Sequence, residues 1–169
     1  MRKSDILLLY EYNYWANARV LDATARIGKA QFVAPAKLSH GSLRGTLIHV
    51  LSAEWIWRMR CQEGVSPPAL LTESELPTLE SLRNRWQEEE QAMRAFLLSL
   101  SDERLADTVR YTTTRGVPYE NVLWHLLVHV VNHGTQFRGE AGIWLAECGH
   151  SPGDLDFIAF LRGRIGNDA

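Results

Sequence analysis

Apolar side chains recur every three or four residues in four long stretches of this 169-residue chain, and this spacing constrains its fold most strongly. Segments rich in glycine, proline and serine separate the four stretches and favour loops between them. Ser42 and Thr78 stand where the second and third stretches begin, and both residue types are good helix caps. We therefore predict long helices over Ser4 to Ile27, Ser42 to about Glu63, Thr78 through the apolar positions ending at Leu100, and Pro118 to Cys148.

Two shorter elements are predicted beside the long helices. The β-branched and aromatic run from Thr108 to Thr114 is followed by Arg115 and Gly116, which favours a short hairpin. An amphipathic tail helix is expected from Leu155 to Arg162. Four long helices with little strand and no internal repeat pack most simply as an antiparallel four-helix bundle. We therefore predict an all-α fold in which residues 1–169 form a single domain.

The charge and composition exclude several classes of function. Eighteen basic and 20 acidic side chains leave a net charge of -2, too balanced for the phosphate-neutralising surface that nucleic-acid binding needs. No apolar run approaches the roughly 20 residues that cross a bilayer, and no secretory signal pattern opens the chain, so we expect a cytoplasmic protein without a membrane partner. Cys61 and Cys148 lie far apart and outside any CxxC motif, which predicts reduced, partly buried thiols.

Histidines are the residues with the clearest chemical potential. His125, His129 and His133 recur every fourth residue and therefore share one face of the last long helix. Two imidazoles at this spacing can hold one transition-metal ion, and the bundle can supply His49 as a further ligand. Neutral imidazole suits zinc, nickel, iron and copper. The alternative is a polar stripe in which the histidines bond to neighbouring side chains, backbone carbonyls or water.

For other polar and aromatic residues the sequence predicts surface, pairing or interface positions. His40 and His150 fall in predicted loops and are expected at the surface. Asn132, Arg138 and Glu140 are candidates to orient a ligand or to cap a helix–helix contact. The favoured alternative is that Arg138 and Glu140 pair at the surface. Trp55 and Trp57 cannot point the same way on a helix, so Trp57 is the candidate for a subunit interface.

Three segments carry a resemblance to a known family. Residues 12–17 (YNYWAN), 47–57 (LIHVLSAEWIW) and 129–140 (HVVNHGTQFRGE) are similar, in order and spacing, to the first, second and last helices of the DinB family. The resemblance covers most of the chain from Tyr10 to about Leu145. It implies a DinB-type four-helix bundle in which His49 and His133 are metal ligands.

The chain departs from the family pattern at one ligand position. The signature usually places a second histidine four residues after the one at His133, and this chain has Phe137 there. Phenylalanine offers no lone pair, so the usual three-histidine site cannot form. The candidates for the third position are His129, Gln136, Glu140 and water. His129 is the first to test, and the alternative for His129 is a structural role or a contact that orients a ligand.

The resemblance also implies a type of chemistry. Characterised members of the family are linked to metal-dependent transfer or isomerisation with a small bacterial thiol, so a divalent metal (zinc, nickel or iron), a small-molecule thiol and an electrophilic substrate are expected. A homodimer is expected as well. The competing hypothesis is a nonenzymatic dimeric binding or scaffold protein that lost its metal with the histidine replaced by Phe137. A role in DNA damage, suggested by the family name, finds no basic groove to support it.

Overall fold

The computed structural model describes residues 1–165 and contains all four of the predicted long helices. Every boundary lies within a few residues of its prediction except the start of the last helix. The helices are α1 (Lys3–Thr24), α3 (Leu43–Arg58), α4 (Leu79–Ser99) and α6 (Leu123–Glu147). The all-α prediction is therefore confirmed.

Shorter elements connect these helices. A five-residue helix precedes α3, a π-helical turn continues α3, and a single turn of helix follows α4. A two-stranded antiparallel hairpin then leads into α6, and a tail helix ends the described chain. Their bounds are α2 (Lys29–Val33), the π-helical turn (Met59–Glu63), α5 (Asp102–Leu105), β1 (Thr108–Thr112), β2 (Pro118–Val122) and α7 (Phe157–Ile165).

The predicted helix start at Pro118 is wrong by five residues. Pro118 instead begins β2, where it pairs with Thr112, and the pairing continues to Val122 opposite Thr108. A proline is tolerated as the first residue of a strand because it has no N–H to give to the ladder. Leu123 then donates its backbone N–H to the carbonyl of Asp107 at 2.8 Å, so α6 begins where the hairpin closes.

The predicted helix caps have the expected geometry. The Oγ of Ser42 accepts a hydrogen bond from the backbone N–H of Gly45 at 2.9 Å. The Oγ1 of Thr78 accepts one from the N–H of Ser81 at 3.0 Å. Each cap satisfies a backbone donor that has no partner inside its helix, so these two sequence positions fix where α3 and α4 begin.

Helix α1 packs against α4 and α6, and α3 packs against the same two helices, so α1 and α3 lie diagonally across the bundle. Neighbours α1 and α4 are antiparallel, as are α3 and α6. Neighbours α1 and α6 are parallel, because Tyr10 bonds to Leu127 while Asn17 bonds to Arg138 further along both helices. Neighbours α3 and α4 are parallel too, because Glu54 bonds to Trp86 while Arg58 bonds to Glu89 further along both helices. The predicted antiparallel packing thus holds for two of the four neighbouring pairs.

The parallel arrangement of α3 and α4 requires a connection that runs back along the bundle. The backbone N–H of Leu71 in this connection donates to the Oγ of the buried Ser52 on α3 at 3.2 Å. At its end, the carbonyl of Pro77 accepts from Arg44 near the start of α3. No helix within residues 1–165 is long and apolar enough to cross a membrane.

The core consists of two apolar clusters stacked along the bundle axis. One is built around the first half of α1, the second half of α4 and the first half of α6, and α7 covers it. The other is built around the second half of α1, α3, the start of α4 and the second half of α6. Polar residues occupy the helix positions between the two clusters.

These polar residues form one buried hydrogen-bonded network. Asn13 and Asn17 on α1 donate to the Oε1 of Glu54 on α3, at 2.9 and 2.8 Å. Trp86 on α4 donates its indole N–H to the Oε2 of Glu54 at 3.1 Å. Arg138 on α6 donates to the Oδ1 atoms of both asparagines, at 2.5 and 2.8 Å. All four long helices therefore meet at this network, and two amides link the opposite charges.

The surface ion pair predicted between Arg138 and Glu140 is wrong. Arg138 is 1% exposed, because positions 138 and 140 lie on different faces of α6 and only the first points into the bundle. Glu140 instead accepts hydrogen bonds from the backbone N–H and the Oγ of Ser39. Asn132, the third residue of this group, is exposed.

Replacing Arg138 should strongly destabilise the fold. In Arg138→Met the carboxylate of Glu54 loses the charge that compensates it, and breaking a buried charge pair costs about 3–5 kcal/mol. We expect a loss of that size in the free energy of unfolding, measured by urea denaturation. Arg115→Met, in the exposed hairpin turn, is the control and should change it by less than about 0.5 kcal/mol. Equal effects of the two substitutions would contradict the role given to the network.

Candidate functional site

Two of the three histidines predicted as metal ligands face each other across the α3–α6 interface. His49 lies in the second turn of α3, and His133 lies near the middle of α6. Their Nε2 atoms are 3.0 Å apart, and both side chains are half-buried. The antiparallel packing of α3 against α6 thus brings the two imidazoles to one point.

The separation of the two Nε2 atoms suits either of two interactions. One is a direct N–H···N hydrogen bond, with one ring as donor and the other as acceptor. The other is joint coordination of a metal ion, because metal–nitrogen bonds of about 2.0–2.1 Å place two ligand nitrogens about 2.9–3.4 Å apart. The Nδ1 of His133 is buried and has no hydrogen-bond partner.

His40 joins this pair, although a surface position was predicted for it. Its ring stacks on that of His49, with centroids 3.8 Å apart and planes inclined by 21°. His40 does lie in a loop, as expected, but it is half-buried between His49 and Phe137. The sequence holds no periodic signal for this contact, because His40 precedes the helix that carries His49.

Contacts from two directions hold the loop that carries His40. Glu140 on α6 accepts from the backbone N–H and the Oγ of Ser39, which ties the loop to α6. On the other side, the carbonyl of His40 lies where a side chain at Gly45 would begin, so this approach to α3 requires glycine. Gly41 has a φ of +74°, which turns the chain towards the cap of α3.

Phe137 packs against all three of these imidazoles. Its ring centroid is 4.6 Å from that of His49, 4.6 Å from that of His133 and 5.2 Å from that of His40. The position where the family signature has a histidine therefore does point into the histidine cluster. An apolar ring stands where a third nitrogen would be expected.

His129, the third predicted ligand, lies one helical turn away from the pair. Its ring centroid is 5.8 Å from that of His133, and its ring packs edge-on against Trp57 at 5.2 Å. His125 contacts Trp124 on an exposed part of α6. Within residues 1–165, no three His, Cys, Asp or Glu side chains are arranged to hold a metal ion.

An open cleft of about 330 Å³ leads to the two facing histidines. Helices α3 and α6 form its sides, and the β1–β2 hairpin and the α3–α4 connection close it. Trp57, the predicted interface candidate, lies in the wall of this cleft. The lining residues are His49, Ala53, Ile56, Trp57, Arg60, Leu70, Tyr111, Thr113, Thr114, Tyr119, His129 and His133.

The surroundings favour neutral imidazoles. Burial, and then the neighbouring His40, lower the pKa of His49 from 6.5 to about 4. Burial, followed by the charges of His49 and His129, lowers the pKa of His133 to about 4 as well. At neutral pH both rings are therefore uncharged, which is the state that a metal ligand requires.

Cys61 is not prepared to act as the nucleophile of this site. Its thiol is buried, and burial raises its pKa to about 12. Thiols of this kind are unreactive at neutral pH, because the thiolate is the nucleophilic form. Cys148 is half-buried, as predicted, whereas Cys61 is buried more deeply than predicted.

The fold and the site define an all-α bundle protein with imidazoles from its second and last long helices facing one another. The DinB family model matches residues 1–168, and the chain belongs to that family. Protein DinB of Bacillus subtilis (strain 168) is 25% identical over 162 residues, which is 90% of this chain and 91% of that protein.

Acid should destabilise the protein partly through His49 and His133. Their pKa values of about 4 in the folded chain lie below the ordinary 6.5, so the unfolded chain takes up protons first as the pH falls. The stability that the neutral pair contributes is complete above pH 6.5 and is lost between pH 6.5 and 4. Urea denaturation of metal-free protein should show a shallower decline over this window for the His49→Gln, His133→Gln double variant. Identical declines would contradict the assignment.

Proposed function

We propose that this DinB-family protein is a divalent-metal-dependent enzyme in which His49 and His133 hold the metal. The observation that carries the proposal is the 3.0 Å separation of their Nε2 atoms at the end of an open cleft. Zinc, nickel and iron suit imidazole ligands. The two rings are uncharged at neutral pH, so neither has to lose a proton to bind.

The proposed reaction is transfer or isomerisation with a small thiol and an electrophilic substrate, in a cytoplasmic homodimer. A bound divalent ion supplies one effect, which is to lower the pKa of a thiol or water in an open coordination position. In the transfer reaction the thiol would give its proton to water, its sulfur would bond to an electrophilic carbon of the substrate, and the leaving group would depart with the electron pair of its bond to that carbon. The cleft's aromatic wall, which includes Trp57 and Tyr111, holds the organic part of the substrate.

Two histidines leave the donor set incomplete, and His40 is the nearest residue that can extend it. The ring of His40 already touches that of His49, whereas His129 packs on Trp57. His40 now stacks face to face with His49, so coordination requires its ring to turn. Ser39 bonds to Glu140, and the carbonyl of His40 lies against Gly45, so the His40 backbone is held beside α3 and α6. We propose that rotation of the side chain brings a nitrogen to the metal.

A second function is favoured by the position of Phe137. Its ring contacts His40, His49 and His133, and this packing suits a nonenzymatic scaffold or binding protein whose two central histidines hydrogen-bond to each other. In that case the 3.0 Å hydrogen bond between His49 and His133 is permanent, and no metal ion replaces it. Metal loading distinguishes the two functions.

Metal analysis of the purified protein is the direct test. After loading with Zn²⁺, Ni²⁺ or Fe²⁺, the wild type should hold one ion per chain. His49→Ala and His133→Ala should each weaken binding by more than about 100-fold, which exceeds the usual cost of losing only a ligand's supporting hydrogen bond. Phe137→His should strengthen it.

The matched control is Ile143→His, which adds a histidine on an exposed part of α6, ten residues and about 15 Å along the helix from His133. It should leave the affinity at His49 and His133 unchanged. If the wild type holds no stoichiometric metal under any loading condition while Phe137→His does, the scaffold function is correct and the enzyme proposal fails.

The third donor can be identified by comparing His40→Ala with His129→Ala. We expect the His40 substitution to weaken metal binding and to change the visible absorption of bound Co²⁺, which responds to the ligand set. The His129 substitution should change both much less. In a Phe137→His background the effect of His40→Ala should disappear, because the new imidazole fills the position. A larger effect of His129→Ala would assign the position to His129.

A further inference from the structure

Arg60 is a buried cation without an acid partner in the wall of the cleft. The residue is 6% exposed, and its Nη2 donates to the backbone carbonyl of Thr112 at 3.1 Å. Its Nε is buried and has no acceptor. Among residues 1–165 no carboxylate forms an ion pair with it. A guanidinium has five N–H donors, so most of its hydrogen-bonding capacity is unused.

Three other arginines with buried or half-buried side chains are compensated by acidic residues. Arg58, two positions earlier in the chain, pairs with Glu89 at 2.5 Å. Arg44 pairs with Glu73, and two asparagines connect Arg138 to Glu54. A buried charge is costly unless it is paired. The contrast marks Arg60 as a cation whose partner comes from outside the chain.

The local backbone explains how Arg60 reaches the cleft. It lies in the π-helical turn Met59–Glu63, which ends at Gly64 with a φ of +67°. A π-helical turn fits one more residue into the helix than an α-helical turn does, and such turns are frequent at functional sites. Trp57 and Tyr111 then pack against the guanidinium, with ring centroids 4.6 and 5.2 Å from its Cζ.

The one ionic charge in the lining of the cleft, that of Arg60, favours an anion. The lining contains Arg60, three histidines and two threonines, and no Asp or Glu. Tyr111, Tyr119 and Trp57 add aromatic surface beside the guanidinium. A single arginine fork matches one carboxylate, whereas phosphate sites usually add a helix amino terminus or several backbone N–H groups. No lysine contributes to the lining.

We infer that the cleft binds a small organic carboxylate, whose negative charge pairs with Arg60 and whose organic part lies along the aromatic wall towards His49 and His133. The inference deepens the proposed function by naming the charge of the ligand, and it rests on that function only for the chemistry at the histidines. Pairing of a carboxylate with Arg60 needs no metal. An experiment can therefore contradict the carboxylate inference without contradicting the proposed function, and the reverse.

The test compares an acid with its uncharged amide on metal-free protein in EDTA. The probes are 3-phenylpropionate, 3-phenylpropanamide and inorganic phosphate, with dissociation constants measured by calorimetry. The wild type should bind the carboxylate at least about tenfold more tightly than the amide, as expected for one charge-assisted pair. Arg60→Gln should bring this ratio to about one, and Arg60→Lys should retain part of it. The exposed control Arg115→Gln should behave as the wild type.

A second measurement uses the wild type alone, so it can be made even if Arg60→Gln does not fold. In a titration followed by NMR, the Nε–H resonance of Arg60 should shift with 3-phenylpropionate and stay in place with the amide. Equal binding of acid and amide, or no binding of either, would overturn the inference. Tighter binding of inorganic phosphate would replace the carboxylate by a phosphate ligand. Carboxylate binding by a protein that takes up no metal would leave the inference intact and reject the proposed enzyme.

Discussion

The linkage of Glu54 to Arg138 through Asn13 and Asn17 determines how the long helices face one another. Each helix contributes a donor or acceptor, and the network is complete only when all of them point inward. A buried charge pair gives little net stability compared with apolar packing, but a wrong arrangement that leaves either charge alone is strongly unfavourable. The main effect of the network is therefore to make other rotations of the long helices about their axes unfavourable.

The same network also determines the direction in which His49 and His133 point. Glu54 follows His49 by five residues on α3, and Arg138 follows His133 by five residues on α6. At about 100° per residue, each histidine is turned about 140° from the charged residue on its helix. When the charged residues point into the bundle centre, the imidazoles must point to the α3–α6 edge. The position of the site is thus a consequence of the rotation that the buried charges impose.

Much of the fold could be predicted from the sequence, because apolar periodicity and caps are local signals. Ser42 and Thr78 marked their helix starts, and the β-branched run before Gly116 marked the hairpin. Pro118 misled because proline is equally suited to the first turn of a helix and to the first residue of a strand. Periodicity placed His133 on one face of its helix and the bundle prediction offered His49 as a further ligand, whereas the pairing of His49 with His133 came from the family resemblance. His40 and Arg60 could not be found this way, because a loop contact and a π-helical turn bring them to the site.

Neutral imidazoles suit both functions proposed for the site, so the number of available donors decides between them. With Phe137 in the cluster, two facing nitrogens satisfy each other by a hydrogen bond unless a metal ion brings in a further ligand. Each missing protein ligand weakens metal binding but leaves one more coordination position for substrate. A substrate that also pairs with a charged side chain of the protein depends less on the metal's coordination positions for its affinity. Arg60 offers such a charge in the same cleft, so a site with few metal ligands can still bind and orient a substrate.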